Sequence, residues 1–293
     1  MKHFLKYYLI PYTLYLIPCS LFLSACDKVE NPYLPETTGG GDTSTVKVRK
    51  VLIEEFTGHQ CGNCPPAAQT IHTLQINPQY EGKIIAVTIH SGSWAQVTPP
   101  LYTADFHCNE GDAYFTDFEV AYNPVGMVNR KDHPANDHLK DVGEWGGLVS
   151  SILAVAPDAD IQIINTYYSG PRQLSTSVRC KFLNALNGTY KIVLLLTEDS
   201  IVSPQKDYTL PSPSNDTNYV HRHLLRGGIT SSYGDTLVSG NISSGDTVVR
   251  TFNYTLPVNF NNTAPDPSHC YVVAYIYDAA TYEIIQVEEK KIN

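Results

Sequence analysis

Positive charge is scarce in this sequence: 20 Lys and Arg stand against 29 Asp and Glu, a net charge of −9. Binding to nucleic acid needs Lys and Arg clustered against phosphates, so no nucleic-acid partner is expected. Charge of either sign is sparse at 17%, while apolar residues reach 42%, a balance that suits a globular chain rather than a disordered one. A second C-x-x-C is missing. Cys61-Gly62-Asn63-Cys64 stands alone, so a four-cysteine zinc site lacks half of its ligands. Behind Pro157 no set of residues has the make-up of a catalytic constellation.

The first 25 residues contain Lys2 and Lys6 but no acid, and Tyr7 to Leu23 carries no charge at all. A basic start followed by an apolar core is the plan of a secretory signal. Pro11 and Pro18 interrupt the core and remove backbone donors, which disfavours a stable membrane-spanning helix. Leu23-Ser24-Ala25-Cys26 closes it and resembles the lipobox of bacterial lipoproteins, in which the cysteine becomes the lipidated first residue. The other reading is an ordinary signal whose small residues adjoin a cysteine by chance. The expectation is a signal over residues 1–25, lipid on Cys26 as the membrane partner, and a tether over 26–45. That tether holds Asn31-Pro32, Leu34-Pro35 and three glycines without apolar periodicity.

Five cysteines remain after Cys19 and Cys26: Cys61, Cys64, Cys108, Cys180 and Cys270. Disulfides persist outside the cytoplasm, and an odd count leaves at least one thiol unpaired in a monomer. Val51-Leu52-Ile53 reads as a strand, Ala67, Ile71 and Leu74 as one face of a helix that Pro78 stops, and Ile84 to Ile89 as another strand. Pro65 and Pro66 fit a first helical turn. The C-x-x-C therefore falls where a strand hands over to its helix. A helix N-terminus stabilises a thiolate, the attacking species in disulfide exchange. Cys61 is expected to be exposed and to attack, and Cys64 to resolve the mixed disulfide.

At these residues the sequence resembles the thioredoxin superfamily. The resemblance implies a Cys61–Cys64 disulfide, a proton-transferring acid at Glu55, six residues before Cys61, and a cis-proline at Pro124, opening a strand over Val125 to Asn129. Gln60 and Pro65 depart from that family's pattern. A purely structural disulfide, or a metal held by His59 with Cys61 and Cys64, are the competing readings. His72, His90, His107, His133 and His138 read as ordinary histidines, and Cys108 as a packed or free thiol. A helix from about Asp137 to Val155 closes this α/β domain, expected over 46–157.

From Asp158 the period becomes alternating. Ile161 to Tyr168, Ser175 to Leu183, Tyr190 to Thr197, Thr247 to Leu256, and a hairpin of Cys270 to Tyr277 with Tyr282 to Lys290 read as strands. They predict an all-β, immunoglobulin-like sandwich over 158–293. Cys180 and Cys270 face inward, either as a disulfide or as two buried thiols. His221-Arg222-His223 has the look of a metal site, but alternation along a strand explains it more simply.

Glu54-Glu55-Phe56-Thr57-Gly58, the C-x-x-C, Pro124-Val125-Gly126, Asn129-Arg130 and the β-rich tail together resemble a Bacteroidetes family named after an outer-membrane lipoprotein of about twenty-eight kilodaltons; this implies a location and a fold, not a substrate. The location implied is the outer membrane, lipid-anchored, on its periplasmic or cell-surface side. Two functions follow as expectations. One is thiol–disulfide exchange on exported proteins, by Cys61, Cys64, Glu55 and Pro124, with no metal and no cofactor. The alternative is a redox-inactive binding or adhesion module.

Overall fold

The computed structural model describes residues 47–293. The signal, Cys26 and the tether expected over 1–45 lie outside the described residues. β1 (Val51–Thr57) and β2 (Ile84–His90) pair in parallel, Val51 opposite Ile84 and Thr57 opposite His90. All of their residues are buried, which is why both read as continuous runs. α1 (Cys64–Gln75) makes the crossover, with Pro65 in its first turn and Ala67 and Ile71 turned inward. α2 (Asn109–Asp117) is capped by the Cys108 sulfur, which accepts from the Gly111 N–H at 3.4 Å. β3 (Val125–Val128) lies antiparallel to β1. α3 (Trp145–Leu153) is shorter than the helix expected from Asp137. Three glycines weaken that stretch, and a 3₁₀ turn, Val142–Glu144, leads into α3.

Long strands follow as β4 (Ala159–Tyr168), β5 (Gln173–Phe182) and β6 (Leu186–Glu198). Four two-residue strands come next: β7 (Ile201–Val202), β8 (Gln205–Lys206), β9 (Asn215–Asp216) and β10 (Val220–His221). The chain ends through β11 (Leu224–Gly228), β12 (Asp235–Ile242), β13 (Thr247–Thr255), β14 (Cys270–Asp278) and β15 (Ile284–Lys291).

These strands do not divide into an α/β domain and a separate sandwich. One mixed eight-stranded sheet runs β15-β14-β6-β11-β2-β1-β3, with β12 also on β6, so both halves of the chain share it. The seam is at Thr88, whose N–H donates to the His223 oxygen at 2.8 Å and whose hydroxyl donates to the Arg222 oxygen at 2.8 Å. The expected thioredoxin-like domain followed by an immunoglobulin-like sandwich is therefore corrected. The fold is mostly β, 42% strand against 17% helix, and its main sheet crosses the expected boundary at Pro157. Periodicity reports which face of a strand is buried, not which strand it pairs with, so both halves read correctly as strands, and the β14–β15 hairpin formed as expected, while the pairings between distant strands were not foreseen.

The packing explains why the halves stay together. On one face of the sheet Leu52, Ile85 and Val87 share a core with Val193, Leu195, Val273 and Tyr275, with Tyr114 of α2 and with Phe118 just past its end. Each large apolar side chain contributes about 1.5–3 kcal/mol on burial, so parting the halves would expose a cost of many such terms. On the other face α1 and α3 cover β1 and β2, and the three-stranded sheet β13-β5-β4 covers β6 and β14.

Candidate functional site

The site grows from the end of β1. Glu54 and Glu55 are consecutive, so their side chains leave opposite faces of the strand. Glu54 meets Arg130, which donates to its two oxygens at 2.8 and 2.6 Å; neither side chain is exposed to solvent. Glu55 meets no partner. Both of its oxygens are buried without a hydrogen bond, and burial alone pushes its carboxyl up to about 8, so it is protonated at neutral pH.

The turn from Gly58 to Asn63 joins β1 to α1. A side chain at Gly58 would run into the backbone of Trp94, 2.4 Å from its Cβ position, so the turn can pass there only as glycine. Cys61 and Cys64 are joined by a disulfide, and Cys64 opens α1. The expectation that Cys61 is exposed is corrected: Cys61 is 4% exposed and Cys64 2%. The cover comes from far along the chain. Residues 203–221, the excursion between β6 and β11, fold over the turn as a flap. Gln205 Nε2 donates to the oxygens of Gly58 and Cys61 at 3.2 and 3.0 Å. The N–H of Lys206 donates to the His59 oxygen at 2.8 Å and that of Tyr208 to the Gly62 oxygen at 2.9 Å. The Tyr208 ring lies so close to Gly62 that a Cβ there would be 2.6 Å away.

The flap is seated on a cluster of rings. His221 packs at 5.2 Å from His90, 5.1 Å from Phe106 and 4.9 Å from Tyr219, and His59 stacks on Tyr102 at 5.1 Å. Burial pushes His90 well below its ordinary value and His221 down to about 3, so both rings are neutral. His90 is a buried histidine, one of the ordinary placements expected of it, and it lines the cavity between the flap and α1. In the 221–223 stretch only the buried His221 lies on a strand, β10; Arg222 is exposed beyond its end and His223 has a φ of 53°, so the expected strand alternation does not describe these three residues. Among the described residues no group of three or more His, Cys, Asp and Glu is arranged to hold a metal ion.

Between the flap and α1 lies a cavity of about 610 Å³, lined by Glu55, Cys64, Thr57, Thr88, His90 and flap residues including Gln205 and Tyr219. The Asn123–Pro124 peptide is cis, and the Asn123 amide donates to the Thr57 oxygen at 3.1 Å, which ties the loop before β3 to the end of β1. Cys180 and Cys270 do face one core, yet they are free thiols, not a disulfide. Cys180 lies on β5 of the small sheet and Cys270 on β14 of the large one, where its thiol donates to the Asp266 oxygen at 3.3 Å. Sequence reasoning missed Gln205, Tyr208, Tyr219 and the role of His221. Nothing local marks Gln205 and Tyr208, because their acceptors at Gly58, Cys61 and Gly62 are more than 100 residues away.

Residues 111–293 match the family described as outer membrane protein Omp28, well over half of the chain. The chain belongs to the Omp28 family. Membership places it at the outer membrane. Cys61 and Cys64 precede the Omp28 match. Among the described residues no helix is long and apolar enough to cross a membrane. The solved structure of HBP35 of Porphyromonas gingivalis is similar over 84% of this Omp28-family chain and 76% of its own, with a TM-score of 0.63 at 13% identity. That shows a common fold, and one that takes in both halves of the chain. A domain of the outer membrane lipoprotein Omp28 from Porphyromonas gingivalis aligns at 17% identity over 47% of this chain and 89% of its own, with a TM-score of 0.33. The sporulation control protein Spo0M from Bacillus subtilis aligns at 16% over 47% and 49%, with a TM-score of 0.28. No curated protein matches the chain.

Proposed function

We propose that this outer-membrane chain carries out thiol–disulfide exchange on exported proteins, held to the membrane by lipid on Cys26. One observation carries the reading: the Cys61–Cys64 disulfide sits at the start of α1, and a buried, unpartnered Glu55 lines the same cavity as Cys64. A substrate thiolate attacks one sulfur, the Cys61–Cys64 bond breaks, and the leaving thiolate takes up a proton. Protonated Glu55 is a source for that proton. A second substrate thiolate then attacks the substrate sulfur of the mixed disulfide, which joins the two substrate sulfurs and leaves Cys61 and Cys64 as thiols, a two-electron exchange. The loop at Pro124 is tied through Asn123 to Thr57, which itself lines the cavity. The flap must lift for a protein thiol to reach Cys61.

The same flap favours a second reading, a redox-inactive binding module whose disulfide is structural, because both sulfurs are covered. The redox equilibrium of the pair in glutathione buffers, read by alkylation and mass spectrometry, separates the two. A potential between about −270 and −120 mV supports exchange, and one below about −300 mV with Cys61 unreactive at neutral pH rejects it.

A further inference from the structure

We propose that the cavity between α1 and the flap binds a small organic cation, a primary amine whose ammonium group pairs with the carboxylate of Glu55. The inference goes beyond thiol exchange and stands on the cavity itself. Its floor holds a carboxyl group that is 1% exposed and has two unused oxygens. A buried carboxyl without a partner is costly, and native proteins seldom keep one unless something else satisfies it. No Lys or Arg of the described chain does so here: none forms an ion pair with Glu55, whereas neighbouring Glu54 has Arg130.

The surroundings select for a cation. His90 and His221, the titratable rings deep in the cavity, are neutral. His90 Nδ1 has no partner and is free to accept from an ammonium N–H in the appropriate tautomer. Tyr219 lines the cavity close enough to feel the Glu55 charge, and an aromatic face attracts a desolvated ammonium. Asp207, Arg222, His72 and His223 sit further out, where they are partly or fully exposed. Water screens the one permanent cation among them, Arg222. The volume of about 610 Å³ is within the ordinary range for small-molecule sites. Pro65, Pro66, Ala68 and Ile71 supply an apolar wall for an aliphatic stem. An amine bound there ionises Glu55 and so withdraws the proton that exchange would use, which makes the ligand an inhibitor of the activity proposed above.

Calorimetric titration of the oxidised full-length chain near pH 7 with pentylamine, 1-pentanol and pentanoate tests this with redox-inert probes, so its outcome is independent of whether thiols are exchanged. Pentylamine is expected to bind at least tenfold more tightly than the other two. Close to one proton should be released per site, read from the dependence of the heat on buffer ionisation enthalpy. Glu55→Gln resembles the protonated acid and should keep the fold while losing the tenfold preference, and Tyr219→Leu should weaken pentylamine severalfold. Equal affinity for the three probes, no pentylamine binding, or binding unchanged in Glu55→Gln each overturns the proposal.

Discussion

The side-chain amide of Gln205 donates a 3.0 Å hydrogen bond to the main-chain oxygen of Cys61, across 144 positions of sequence. The same nitrogen also reaches the oxygens of Gly58 and Lys206, so a single buried amide fastens the flap to the cysteine turn. Each such bond contributes about 1 kcal/mol, and 1.4 kcal/mol is tenfold in an equilibrium. Gln205→Leu is therefore expected to raise the rate at which dithiothreitol reduces the Cys61–Cys64 bond by about tenfold, measured by quenched alkylation. A rate unchanged from the parent chain would show that the flap does not control access.

Burial of the Glu54–Arg130 pair makes a second prediction. Arg130 also donates to the Tyr275 hydroxyl at 2.8 Å and lies 4.8 Å from the ring centres of Tyr114 and Phe118. Removing one partner of a fully buried pair strands the other, at a cost of about 3–5 kcal/mol. Arg130→Met should lower the urea midpoint accordingly, and Glu54→Gln together with Arg130→Met should recover part of the loss. Independent, additive losses would rule out the coupling.

Glu55 sets a pH dependence of its own. Its folded value of about 8 lies above the ordinary 4.5. Below 4.5 both folded and unfolded chains are protonated there, and the group costs nothing. As pH rises toward 8 the unfolded chain ionises first, and the folded state loses stability. The scale is about 1.4 kcal/mol per pH unit, or about 3 kcal/mol between pH 4.5 and 7. The stability of Glu55→Gln relative to the parent chain should widen by that amount over this interval, measured by denaturant titration. A constant difference would place Glu55 in contact with water or a partner.

His221 acts in the opposite sense. Its folded value of about 3 lies below the ordinary 6.5. Its stability is fully present above 6.5 and is lost as pH falls toward 3, because the unfolded chain takes the proton first. His221→Phe keeps a ring against His90, Phe106 and Tyr219, and should move the acid-unfolding midpoint to lower pH. A midpoint moved upward would mean that the ring is not buried neutral.

Cysteine accounting is checked by mass spectrometry. Alkylation of the denatured, unreduced chain should label Cys108, Cys180 and Cys270 and spare Cys61 and Cys64. In the native chain Cys180 and Cys270, both 0% exposed, should stay unlabelled. A Cys180–Cys270 disulfide recovered from the native chain contradicts the structure.

Much of the local structure was legible in the sequence. The continuous runs became β1 and β2, each paired on both sides in the main sheet, and the alternation of Ile161 to Tyr168 became β4, buried at Ile161 and Ile163 and open at Ile164 and Tyr168. The cysteine spacing became a disulfide at a helix start. The β14–β15 hairpin was legible as well; what was not legible is pairing between strands far apart in sequence. β2 reaches β11 through Thr88, His223 and Leu224, and no local pattern announces that contact. The short strands β7 to β10 are equally silent, because two residues are too few to show a period.

By itself the sequence determined which residues are apolar and with what period, where helices start and stop, and that two cysteines lie one helical turn apart. Those properties depend on neighbours within a few positions, where backbone geometry fixes which side chains share a face. Only the tertiary structure decided that one sheet joins the two halves, that the flap covers Cys61, and that Glu54 has a cation while Glu55 has none. Each of those outcomes depends on which distant surfaces bury one another, and burial is what turns a carboxyl group on a strand into an ion pair or into an unpaired acid.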